Sequence, residues 1–467
     1  MDTHQHQLNP PPNRSSSPAY IQKSIGWVLL AAWAAWWAGS FFAGYLVGPD
    51  MWVPHWVASY QDQSRELGRD FAHNFYAVHI VHSGGDPYVT PPDDRGTYAY
   101  PPLVLGLFYW GVLIPVRFIR LAAGIWSLLI ALIVMGATHL ALRGRRSLGL
   151  NAISWPLAQG LALWCTPVVF AMERGNCDAL VLGLIALAAI FLARKSKWGD
   201  ALAGLCLAGG MWIKIYPGLV LVAALALRRW RMAGWSLVFS LLIPVLMWSG
   251  TMQFLHSGWK AEGYRTKFLS SAAHLQEDPN AAAAGVNSYP PLEAVSHSLP
   301  IYWKTFWSGV GMPAVGRIPG LIGAGIVLGP MLMGTFLVMW WANSKQNAPH
   351  PSPLPEYRER GQERGLAFAY FLWVAMAATF WMPVSYDYNL IYFPVLLAAV
   401  WAVRDGMIVH ALLALGFVYW QPLAQGVPKE LILLFKLLAL VALGICLVRR
   451  AKENFATDEH RYTQIRV

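Results

Sequence analysis

Residues 25–47 read IGWVLLAAWAAWWAGSFFAGYLV, a run of apolar and small side chains without a single charge. About 20 such residues, wound as a helix, cross the ~30 Å hydrocarbon core of a bilayer. A helix satisfies its own backbone N–H and C=O groups there, which few other structures can do. The run IGAGIVLGPMLMGTFLVMWWA at 322–342 has the same character. Charged residues make up only 13% of the 467 residues, whereas a soluble domain carries ~25%. The expectation is an all-α polytopic membrane protein.

Basic residues then orient it. Arg143, Arg145 and Arg146 follow one apolar run, Arg194, Lys195 and Lys197 a second, and Arg228, Arg229 and Arg231 a third. Arg358, Arg360 and Arg364 occupy a longer loop, and Arg449, Arg450 and Lys452 open the C-terminal tail. Short basic loops between apolar runs belong in the cytoplasm. The net charge of +11 is therefore a topology signal and not a nucleic-acid surface. Spans consistent with this run over 25–47, 119–142, 153–172, 177–193, 200–213, 216–228, 232–250, 318–342, 366–383, 388–403, 407–421 and 430–448, about twelve in all. Residues 200–228 are long for one span and short for two, and KIYPG (214–218), with its lysine and proline, favours a bent pair of short helices.

The implied organisation is a disordered cytoplasmic tail (1–24), a transmembrane domain (25–450) and a second cytoplasmic tail (451–467). Two large loops, 48–118 and 251–317, fall outside the cytoplasm, with the turns MERGNCD (172–178), KIYPG and PVSYDYN (383–389). YPPLVLGLFYWGVLIPV (100–116) is short for a span and reads as an interfacial or re-entrant helix starting at Pro101. The tetrapeptide YPPL occurs twice, at 100–103 and 289–292. The four cysteines are scattered and form neither a disulfide framework nor a CxxC pair. No GxxxxGK[ST], GxGxxG, HExxH or GxSxG is present, so nucleotide-driven transport and zinc or serine hydrolysis lack support, and no cofactor or metal cluster is expected.

Polar residues in such a chain need reasons. In RDFAHNFYAVHIVHSGGDPY (69–88), Phe71, Phe75 and Val78 form an apolar stripe at helical spacing, with Asp70, His73 and Asn74 on another face. On physical grounds alone, a solvated amphipathic loop helix lying along the membrane surface is the simplest expectation. Gly84 and Gly85 end it, and Asp86-Pro87 redirects the chain. Lys214, between two apolar half-helices, costs roughly 3 kcal/mol on insertion scales unless it reaches water or an anion. It can snorkel, or it can serve as the cation for a phosphate. Glu173, Arg174, Asn176 and Asp178 share one short turn, where a helix cap is the plain reading. Asp387, between Tyr386 and Tyr388, sits at another helix junction where tyrosines commonly anchor the interface. Asp93-Asp94 in a proline-rich loop read as solvated turn residues.

Taken in order, DFxxxxYAVHIVHSGGDPY, YAYPPL, a GN that opens a helix, and KIYP resemble glycosyltransferase family 87 over roughly residues 25–400. The resemblance implies a GT-C fold of about twelve transmembrane helices, with two large extracytoplasmic loops bearing interfacial helices, in the plasma (inner) membrane. It also implies α-mannosyl transfer from a polyprenyl-phosphate donor to a glycolipid or glycan acceptor. By that resemblance Asp70 is the catalytic base, and Asp86, Tyr88, Tyr100, Pro101 and Pro102 are structural or pocket-lining. Lys214 and Pro217 match a K-x-x-P element. Two departures stand out. GVNSY places Asn287 and Ser288 where relatives often read N-Q-S, and Tyr386-Asp387-Tyr388 stands where a His pair is common.

A chemistry consistent with both readings needs no nucleotide sugar. A lipid-borne phosphate leaving group is already a weak base, so it needs cations (Lys214 with Arg174), whereas the acceptor hydroxyl needs one base (Asp70). Asp86, Tyr88, Tyr100, Asn176, Asn287, Tyr386 and Asp387 are the expected pocket. One base and direct displacement predict inversion, unlike the carboxylate pair of glycoside hydrolysis. The competing classes are a transporter or flippase for a lipid-linked or polar solute, and a GT-C transferase of another sugar. A transporter binds near mid-membrane and often carries inverted repeats, and none is visible here.

Overall fold

The computed structural model describes residues 18–43, 68–89, 100–146, 153–194, 196–248, 299–300, 302–303, 311–316, 318–346, 356–382, 387–400, 411–414 and 427–465, with 92, 98, 307 and 409 singly. Among the described residues there is no strand. Four helices are long and apolar enough to cross a membrane: Tyr20–Phe41, Val116–Arg143, Gly320–Ala342 and Leu431–Arg449. A bent pair forms a possible fifth span. Shorter apolar helices fill the space between, so the fold is an all-α membrane bundle.

The helices run α1 (Pro18–Ala38), α2 (Arg69–His82), α3 (Pro102–Phe108), α4 (Ile119–Arg146), α5 (Trp155–Trp164), α6 (Thr166–Arg174) and α7 (Asp178–Leu192). There follow α8 (Lys197–Ile213), α9 (Val220–Ala226), α10 (Trp230–Trp248), α11 (Gly320–Gln346), α12 (Glu356–Trp381), α13 (Tyr392–Val400) and α14 (Lys429–Ile465). Helix α12 lies at the centre against α4, α7, α9, α11, α13 and α14. Its apolar residues do not alternate with polar ones, and from Phe368 to Phe380 it is buried on every side, as an all-round apolar helix should be. By contrast α10 exposes Leu237, Val238, Leu241 and Val245, each more than half accessible, on a face suited to hydrocarbon.

Several boundaries differ from expectation. The first helix begins at Pro18, so residues 18–24 are helical and not part of a disordered tail. Proline, with its fixed φ, suits a first helical position. The expected span 153–172 is two helices, α5 and α6, bent by 59° at Cys165. The cause is Pro167 in the next turn, which has no N–H to give and crowds the preceding turn. Helix α14 runs on to Ile465 through the segment expected as a tail. The span 200–228 is broken as the sequence suggests. Helix α8 ends at Ile213, Lys214 is extended (φ −143°, ψ 138°), and a 3₁₀ turn, Tyr216–Leu219, leads into α9. The tail 1–17, the first part of loop 48–118 (from 48 to 67) and most of loop 251–317 (from 251 to 298) lie outside the described residues, as does the expected span 407–421 except for helical residues 409 and 411–414.

Candidate active site

Helix α2 is not a solvated surface helix. Its apolar stripe and its polar face are both buried: Phe71 and Val78 are fully inaccessible, and so is Asn74, with Asp70 at 5% and His73 at 6%. The stripe packs into an aromatic cluster in which Phe71 contacts Phe108, Trp110 and Trp126 at ring distances of 5.8–6.2 Å. Burial of each such phenylalanine stabilises the contact by about 2 kcal/mol. A buried polar face requires partners, and they come from the turn between α6 and α7.

That turn is closed by Gly175, whose positive φ (+68°) ends α6. A Cβ at Gly175 would come 2.6 Å from Phe71 Cβ, so glycine is required for conformation and for space. The Gly68 N–H donates to the Glu173 carbonyl at 2.6 Å, and the Trp126 indole N–H donates to the Gly175 carbonyl at 3.0 Å. These bonds fix the start of α2 against the end of α6.

The result surrounds one carboxylate. Arg174 Nη2 donates to Asp70 Oδ1 at 2.8 Å, and Asn176 Nδ2 donates to Asp70 Oδ2 at 2.9 Å. The side chains of the ion pair are 17% and 7% exposed. Asn176 Oδ1 also accepts from the Asp178 backbone N–H at 2.9 Å, an Asx turn that leads into α7. Asn74 Nδ2 donates to the Asp70 carbonyl at 2.8 Å and its Oδ1 accepts from the Tyr98 hydroxyl at 2.5 Å. Burial pushes the Tyr98 hydroxyl well above its ordinary pKa, so it remains a donor throughout the working pH range.

A second carboxylate lies one residue beyond this turn. Asp178, fully buried, faces Lys214 Nζ at 3.5 Å through Oδ2 and accepts from the Tyr216 hydroxyl through Oδ1. Tyr216 in turn pairs with the Tyr392 hydroxyl at 2.8 Å. Lys214 Nζ stands 4.9 Å from the Tyr100 ring centroid, a cation–π contact. Asn176 joins the two carboxylates, donating to Asp70 Oδ2 and accepting from the Asp178 backbone N–H.

The remaining expected residues divide. Asp86 Oδ1 accepts from the Tyr88 N–H at 2.9 Å, forming a turn, and the Tyr88 hydroxyl donates to the Tyr100 carbonyl at 2.8 Å. These bonds hold the loop that presents Tyr100 to Lys214. Asn287 and Tyr386 lie outside the described residues, and Asp387 is described by its backbone alone. The 3₁₀ turn Asp387–Ile391 packs against α6 and α7. Asp178, Tyr98, Tyr216 and Tyr392 join the cluster without having been singled out as site residues. The Tyr216–Tyr392 contact spans 176 positions, and no local pattern announces it. Among the described residues, no three His, Cys, Asp or Glu side chains converge as metal ligands.

The arrangement offers a proton acceptor, two cations and aromatic faces, all gathered where α6 and α8 end and α7 begins. The sequence model of glycosyltransferase family 87 matches residues 98–352, a narrower segment than 25–400. It includes Tyr100, Arg174, Asn176, Lys214 and Asn287, and leaves Asp70, Asp86, Tyr88, Tyr386 and Asp387 outside. No curated protein and no solved structure matches the chain.

Proposed function

The chain belongs to glycosyltransferase family 87 and is a membrane glycosyltransferase, and from that premise we propose a reaction for its site. A sugar, mannose by the resemblance, passes from a polyprenyl-phosphate donor to an acceptor hydroxyl on the extracytoplasmic face. Asp70 is the general base, the anomeric configuration inverts, and the GT-C architecture of about twelve spans supplies the frame. The single observation that carries this reading is the buried Asp70 carboxylate, held by Arg174 and Asn176 beside the Lys214 cluster.

The step balances as follows. The acceptor O–H bond breaks and its proton passes to Asp70. The acceptor oxygen bonds the anomeric carbon, and the bond from that carbon to the phosphate oxygen breaks, leaving its electron pair on phosphate. A carboxylate has about four lone-pair positions, so Arg174 and Asn176 leave room for the hydroxyl. As Asp70 becomes neutral it ceases to be the counter-ion of Arg174, at the moment the phosphate gains charge. Arg174 therefore orients the base before transfer and stabilises the leaving group during it, together with Lys214. Asp86, Tyr88 and Tyr100 shape the pocket, and Asn287, Tyr386 and Asp387 are assigned to it by the family resemblance.

Three helices support the sidedness. Trp126 of α4, Asp178 of α7 and Lys214 after α8 mark the site end. Arg143, Arg194 and Lys197 lie at the other ends of the same helices, about 25 Å away at ~1.5 Å per residue. Basic ends belong to the cytoplasm, so the site faces away from it. An apolar groove at the start of α4, lined by Leu113, Ile114, Pro115, Phe118, Leu121 and Ile125, suits a polyprenyl tail.

The test supplies radiolabelled polyprenyl-phosphate mannose to membranes containing the protein. Labelled product should form, and Asp70→Asn should lower turnover by about 10²-fold or more while membrane expression is retained. Near-wild-type turnover of that variant would refute the assignment.

A further inference from the structure

Asp178 and Lys214 form an uneven pair. Asp178 is sealed in the protein at the first turn of α7, where the positive helix end favours a carboxylate. Its Oδ1 holds the Tyr216 hydroxyl, and its Oδ2 accepts no hydrogen bond among the described residues. Lys214 Nζ stands 3.5 Å from Oδ2, close enough for attraction but longer than the ~2.7–2.9 Å of a strong charge-assisted hydrogen bond. The lysine side chain is 19% exposed and the aspartate side chain 0%. One partner is fixed, and the other, partly exposed, lies over the Tyr100 ring.

We infer that Asp178 is the resident counter-ion of Lys214, a positioning residue that keeps the ammonium charged and aimed while the site is empty and yields it to the donor phosphate. The inference rests on the reading of Lys214 as the phosphate cation and assigns a role to its partner. When the ammonium turns to phosphate, Asp178 retains the Tyr216 O–H and the N-terminus of α7, so its charge is not left bare. A donor must therefore compete with Asp178 for the lysine. A phosphodiester with one negative charge competes weakly. The transition state, in which the leaving oxygen gains charge, competes better. Asp178 thus removes stabilisation from the bound ground state and preserves it for the transition state, where it accelerates transfer.

The experiment uses the purified full-length protein in lipid nanodiscs, with a short-chain polyprenyl monophosphate as the binding probe and turnover measured in parallel. Asp178→Asn should bind the probe roughly tenfold more tightly while kcat falls. Adding Lys214→Met to that variant should abolish the gain. Tyr216→Phe keeps the charge of Asp178 but strips its fixed donor, so the carboxylate grips Lys214 harder and the probe should bind several-fold more weakly. If Asp178→Asn does not fold, this opposite-signed variant decides. Unchanged or weaker binding by Asp178→Asn, or unchanged or tighter binding by Tyr216→Phe, overturns the inference while wild-type binding leaves the donor reading standing. A wild-type protein that binds no polyprenyl phosphate overturns the donor reading and the inference with it.

Discussion

Asn176 serves two neighbours at once: its amide N–H holds Asp70, and its carbonyl oxygen closes an Asx turn on the Asp178 N–H at the start of α7. A hydrogen bond to a charged group is worth about 1.5–3 kcal/mol, and an ordinary one ~1 kcal/mol. Asn176→Ala should therefore lower kcat roughly 10- to 100-fold and shift thermal melting modestly, both measurable on one preparation. A melting shift with kcat intact would reduce Asn176 to a turn-forming residue. Arg174, Asn176 and Lys214 drew notice as polar residues beside apolar runs, whereas Asp70, in a stretch read on physical grounds as solvated, was marked as a base by the family resemblance. Asp178 was visible only as a residue of the same turn, since an acid in a first helical turn has an ordinary explanation. Lys436, 2% exposed within an apolar run, passed unremarked because one charge barely alters the run's hydropathy.

Three elements make the site: α2 supplies the carboxylate, the α6–α7 turn its two donors, and the break after α8 the lysine. Their mutual position depends on Gly175. Gly175→Ala places a methyl group 2.6 Å from Phe71 Cβ at φ +68°, so α2 must move away from the turn. The variant should lose at least tenfold in turnover and melt several degrees lower, whereas Gly329→Ala, in open space on α11, should do neither. The break at Lys214 was legible from its proline and lysine, and so was the helical stripe of α2. Its burial was not. Amphipathicity gives the periodicity of a helix but does not say whether the polar face meets water or the protein's own donors. The bend at Cys165 was missed for a related reason, because continuous hydropathy across 153–172 hides Pro167.

For the whole molecule, the four native cysteines are buried and give a quiet background for labelling. A cysteine at Ser83, exposed at the end of α2, should react with a membrane-impermeant maleimide added outside intact cells. One at Trp198, 81% exposed at the start of α8, should react only after permeabilisation. The reverse pattern would invert the proposed topology. The helices around the site are also short. Helix α8 has 17 residues and covers roughly 26 Å, less than the ~30 Å hydrocarbon thickness. Lys214, at its end, is thus recessed below the surrounding headgroups. On the proposed reading, a polyprenyl-phosphate donor would reach it by a two-dimensional search with its tail still in lipid. The encounter rate then follows the donor's mole fraction in the bilayer and is insensitive to the volume of water outside.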